Sequence, residues 1–125
     1  MTYNFILIGN NKGDVDWRDR LRKAVAPLGK LQTLTEKEAQ AREYSSDRHV
    51  IIMDESGVKR VEDLVSRFSN QLNPPYIVVV CAARPSWDDT LRMFKAGATD
   101  YIPKDSGKGL AIFFKELLAG SRVQF

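Results

Sequence analysis

The sequence predicts an α/β protein built as a doubly wound, five-stranded parallel sheet with helices on both faces. Three observations carry that prediction. Strand-like and helix-like patterns alternate five times along the chain, and parallel neighbours need crossover connections, usually helical. The stretch "YIVVVCA" at 76–82 is continuously apolar, as a strand buried on both faces should be. The 125 residues contain no repeat, low-complexity tract or internal linker, so they form one domain, large enough to bury about two-thirds of its unfolded surface.

Each element has its own signal. "NFILIG" at 4–9 is a β-rich apolar run and predicts the first strand. Residues 14–28 place Trp17, Leu21, Ala24, Val25 and Leu28 on one helix face, with Pro27 loosening the last turn and Gly29 as the stop. "LQTL" at 31–34 predicts a short second strand. Thr35 and Glu38 then have capping-box spacing, opening a polar helix through about Tyr44. "HVIIM" at 49–53 is the third strand, and 58–72 a helix with Val61, Leu64, Val65 and Phe68 on one face, closed by Pro74 and Pro75. After the fourth strand, Ser86 caps a helix to Ala96 and Gly97 ends it. "TDYI" at 99–102 is the fifth strand and 106–118 the last helix.

Composition narrows the function. The longest apolar run, residues 76–83, has eight members, far short of a membrane span. Cys81 is the sole cysteine, which removes a disulfide framework and fits a reducing cytoplasm. The net charge of +3 comes from Lys and Arg interleaved with acids, a solvated surface rather than a nucleic-acid footprint. In a doubly wound sheet, chemistry gathers at the carboxyl ends of the strands. Here those ends carry Gly9, Asn10 and Asn11; Leu34 and Thr35; Asp54 and Glu55; Ala82 and Ala83; Pro103 and Lys104. Asp54 is therefore either a functional carboxylate or a turn-former bonding the backbone ahead of it.

The segment "MFKAGATDYIPK" at 93–104 resembles the fourth-helix, fifth-strand signature of two-component response regulator receiver domains. Residue by residue, the resemblance places Lys104 at the receiver lysine, Tyr101 at the aromatic switch, Asp54 at the phosphoacceptor and Ala82 at the switch hydroxyl position. It covers roughly residues 4–119 and implies a flavodoxin-like (βα)5 fold over 1–119, with 120–125 a tail or the start of a linker. It also implies a partner face made by helix 4, strand 5 and helix 5, used by a protein partner, an output domain or a second copy in a homodimer.

The departures define the expected subtype. Where receivers carry an acidic pair that holds Mg²⁺ with the phosphoacceptor, this chain has Asn10 and Asn11. Amides bring no charge, and Mg²⁺ sites rely on carboxylates and phosphate oxygens, so Mg²⁺ binding is expected to be weak or absent. Ala82 has no hydroxyl to report a phosphoryl group, and "ESGVKR" after Asp54 differs from the usual receiver loop. The leading reading is a degenerate receiver, a pseudo-receiver acting as a signalling interaction module without phosphorylation and without enzymatic activity. The alternative is a working receiver phosphorylated on Asp54 by a histidine kinase in a phosphorelay. A nucleotide-binding or small flavodoxin-like enzyme domain is third, resting on the loop Gly9 to Gly13, which fits neither dinucleotide nor P-loop pattern.

Plainer roles are open for the same residues. Lys104 can pair with Asp54 as a rim salt bridge, Cys81 reads as a core hydrophobe, and His49 has no metal partner in the pattern. With Ala82 small, the Tyr101 ring is expected to sit inward, with Trp87 either covering that pocket or packing on Leu91.

Overall fold

A computed structural model describes residues 3–9, 15–41, 49–70, 77–105 and 109–120. The elements in order are β1 (Tyr3–Ile8), α1 (Val15–Val25), β2 (Gly29–Leu34), α2 (Glu36–Ala41), β3 (His49–Asp54), a 3₁₀ turn (Glu55–Gly57), α3 (Val61–Ser69), β4 (Ile77–Ala82), α4 (Trp87–Ala96), β5 (Asp100–Pro103) and α5 (Leu110–Gly120). All strand pairs are parallel, in the order β2-β1-β3-β4-β5. Chain order reverses between β1 and β3, so the carboxyl ends of those two strands, Gly9 and Asp54, flank the crevice where such sheets bind ligands.

Strand periodicity divides the core in two. Ile6, Ile8, Ile51, Met53, Val78, Val80 and Tyr101 point to the side covered by α2, α3 and α4. Phe5, Leu7, Val50, Ile52, Val79, Cys81 and Ile102 point to the side covered by α1 and α5, against Trp17, Leu21, Phe114 and Leu118. Every residue of β3 is buried, which explains why its sequence shows no alternation. None of the helices among the described residues is long and apolar enough to cross a membrane.

Several predicted boundaries shift. The first helix ends at Val25 rather than 28, because residue 26 precedes Pro27 and is disfavoured in helical geometry. Gly29 is the first residue of β2 rather than a helix stop. It pairs with Tyr3, and a Cβ there would lie 1.9 Å from the Tyr3 carbonyl oxygen, so close backbone approach requires glycine. The helix predicted from 58 begins at Val61, because Glu36 of α2 accepts hydrogen bonds from the Lys59 and Arg60 amides at 2.8 and 3.2 Å and caps α3 from outside. The capping box forms as predicted: the Thr35 amide donates to Glu38 at 2.9 Å and the Glu38 amide to Thr35 Oγ1 at 3.2 Å. Those bonds lower the Glu38 pKa. Ser86 accepts from the Asp89 amide at 3.1 Å, and Gly97 closes α4 at φ +112°. The predicted helix ends at Tyr44 and Leu72, the start of the last helix at Ser106 and the tail beyond Gly120 lie outside the described residues.

Candidate functional site

Asp54 ends β3 with only 4% of its surface exposed. Its Oδ1 accepts from the Ser56 amide at 3.1 Å, from Ser56 Oγ at 2.7 Å and from Lys104 Nζ at 3.0 Å. The two readings of Asp54 thus coexist: it anchors the turn that follows and it pairs with a distant cation. Lys104 is brought in by β5, whose ladder continues past Pro103 through the Lys104 amide to the Ala82 carbonyl at 2.9 Å. Its ammonium also donates to Ser56 Oγ at 3.4 Å and lies 4.9 Å from the centroid of the buried Trp17 ring. Ion pair, hydroxyl and aromatic face together compensate a cation that is 7% exposed. Gly9 closes the other side, where an added Cβ would stand 3.0 Å from Asp54 Cβ.

Ala82 and Tyr101 lie on the other face of the sheet's carboxyl end. Ala82 is buried, and the Tyr101 ring beside it is 7% exposed, packed in the cluster that includes Val80, Met93 and Ala98. The ring points inward, and its hydroxyl donates to Glu55 Oε2 at 2.6 Å. Burial first, and the Glu55 bond and charge second, raise the Tyr101 pKa well above the ordinary tyrosine value. The neutral phenol is the form that the fold favours, so its contribution to stability is complete below pH ~10 and is lost as pH rises through the raised value. In an alkaline absorbance titration, Tyr101→Phe should remove a late step.

Asp54, Ala82, Tyr101 and Lys104 therefore converge at the carboxyl end of the sheet, while Asn10 and Asn11 lie outside the described residues. Cys81 is buried among the α1–α5 core, where burial and the nearby Asp54 raise its pKa, leaving a thiol inert as a nucleophile. His49 is buried at the start of β3, at the opposite end of that strand from Asp54. Trp87 neither covers the Tyr101 pocket nor packs in the core: it is 74% exposed, and Leu91 is 42% exposed. The reason is that α4 turns Met93 and Ala96 toward the sheet and α3, which leaves the Trp87 side of the helix outward.

Ser56 has no role in the sequence pattern, and Glu55, placed beside Asp54 on the rim, has no partner there. A Ser two residues after a strand-ending Asp is a visible turn signal, whereas the pairing of Glu55 with Tyr101 spans 46 positions and has no local trace. Of the three positions that hold the metal in receivers only Asp54 is among the described residues, and one of its oxygens is engaged by three donors, an ammonium included.

No protein-family model matches the chain, and no curated protein sequence matches it significantly. Solved structures do match. Response regulator DrrB of Thermotoga maritima, an OmpR/PhoB homologue, superposes with a TM-score of 0.78 at 18% identity, over 97% of this chain and 54% of that one. HP1043, an orphan response regulator of H. pylori, gives 0.68 at 16% identity, over 92% and 93%. An atypical orphan response regulator with a phosphorylation-independent mechanism gives 0.70 at 17% identity, over 97% of each. This chain spans about half the length of DrrB and nearly all of the other two. With the strand order, the Asp54–Lys104 pair and the inward Tyr101 in place, the chain has the flavodoxin-like (βα)5 fold of response-regulator receiver domains.

Proposed function

We propose that this protein is a degenerate receiver, a signalling interaction module in the cytoplasm that presents its α4–β5–α5 face to a protein partner without phosphorylation of Asp54. The observation that carries this reading is the Tyr101–Glu55 hydrogen bond at 2.6 Å beside Ala82. In the receivers that this chain resembles, the aromatic turns inward when a hydroxyl residue moves toward a phosphoryl group. Here the space is left by an alanine and the phenol is held by the residue next to Asp54, so the inward state needs no phosphoryl group.

Charge supports the same reading. Phosphoryl transfer depends on positioning and on neutralising charge as it develops, and the amides of Asn10 and Asn11 supply none. Titration with Mg²⁺, read by the fluorescence of Trp17 beneath Lys104, should show no saturation in the range that fills ordinary receivers; saturation there would contradict the proposal. The double change Asn10→Asp, Asn11→Asp should gain Mg²⁺ binding and lose stability in metal-free buffer, where three carboxylates would crowd.

A working receiver is the second reading, and the observation in its favour is the retained Asp54–Lys104 contact at 3.0 Å. Saturable Mg²⁺ binding by the unmodified protein would move it ahead.

A further inference from the structure

We propose that the cleft between α1 and the start of α5 binds a small organic monoanion, an apolar body that carries one carboxylate; this goes beyond the interaction-module reading and makes no use of the α4 surface. The cleft has a volume of about 480 Å³, within the range of small-molecule sites. α1 and α5 pack together through Leu21, Val25, Phe114 and Leu118, and beside that seam the lining residues are short. Ala24 and Ala111 each carry only a methyl group. Gly109, held at φ +80°, carries no side chain, and a Cβ there would meet nothing within 4 Å. Leu110, buried at the first position of α5, supplies further apolar wall. Small apolar residues around an open space favour an apolar occupant, which releases water that finds few partners there.

Charge identifies the head group. Arg20, Lys23 and Ala24 have the spacing of three and four residues that places side chains on one helix face, so both cations meet the same cleft. Lys104 also lines it, but its ammonium is committed to Asp54 at 3.0 Å. Arg22, next to Lys23 in the chain, is committed to Asp19 at 3.8 Å. The Lys23 ammonium has no partner among the described residues. Arg20 reaches Asp105 at 3.6 Å, with side chains 58% and 89% exposed, a contact that water screens and that a carboxylate in the cleft can displace. With Lys104 neutralised by Asp54, Arg20 and Lys23 against Asp105 leave one net positive charge at the cleft. One carboxylate matches it, and the planar guanidinium of Arg20 can hold both of its oxygens. A ligand with two or three negative charges would meet the repulsion of Asp105.

Naphthalene-2-carboxylate, a flat apolar body with one charge, and its neutral counterpart naphthalene-2-carboxamide are suitable probes, titrated into the full chain and followed by amide chemical shifts. The carboxylate should give saturable shifts at Lys23, Ala24, Leu110 and Ala111, with a Kd of about 0.1–1 mM for so few atoms. The carboxamide should bind at least ~5-fold more weakly. Lys23→Glu, an exposed change that leaves the buried stripe of α1 intact, should weaken the carboxylate by at least ~5-fold. Asp105→Asn, which releases Arg20, should tighten it about 2-fold. No saturable shift up to ~5 mM, equal affinity for the carboxamide, shifts centred away from the cleft, or binding indifferent to Lys23→Glu would each overturn the proposal. None of these outcomes affects the phosphorylation-independent reading, which is judged by the response to Mg²⁺ and a phosphoryl mimic.

Discussion

Lys104→Met is expected to lower folding stability by about 3–5 kcal/mol, because it leaves the Asp54 carboxylate buried without its cation. Asp54 is 4% exposed and, among the described residues, would retain the two Ser56 donors. The lost contact of the ammonium with the Trp17 ring adds to the effect. Most of that loss comes from the stranded charge rather than from the worth of the pair, so Lys104→Met combined with Asp54→Leu should recover much of it. Urea unfolding of the two single variants and the double variant gives the coupling directly. A loss below 1 kcal/mol in Lys104→Met would mean that the pair is screened by water and is not a buried support of the site.

Tyr101→Ala should cost a similar ~3–5 kcal/mol, the usual range for removing a buried aromatic ring. The ring is packed against β4 and α4, and its removal opens a cavity beside an alanine too small to fill it. Tyr101→Phe separates the two contributions. It keeps the ring and removes the donor to Glu55, and since Glu55 is partly exposed and can turn to water, the expected loss is about 1 kcal/mol. Amide chemical shifts of α4 should change broadly in Tyr101→Ala and only locally in Tyr101→Phe. A broad change in Tyr101→Phe would place the hydrogen bond, rather than packing, in control of the face.

Much of this was legible in the sequence for identifiable reasons. Buried parallel strands announce themselves by unbroken apolar runs, so β3 and β4 were plain, and local caps such as Thr35 with Glu38 or Ser86 with Gly97 fixed helix ends through bonds three or four residues long. The convergence of Asp54 with Lys104 followed from the resemblance and from strand order together. What was not legible is long-range. The Glu36 cap on α3 and the Glu55 bond to Tyr101 join residues 23 to 46 positions apart. Trp87 was misplaced because helical periodicity identifies an apolar stripe without saying whether the fold or a partner covers it.

If Tyr101 and α4 hold their inward arrangement without a phosphoryl group, the amide and aromatic NMR spectrum of the unmodified protein should be the same before and after Mg²⁺ with beryllofluoride, which mimics the phosphoryl group on an aspartate. No change is expected at Asp54, Ala82, Tyr101 or along α4. Saturable shifts spreading from Asp54 to Tyr101 and α4 would contradict it and identify a working phosphorylation switch.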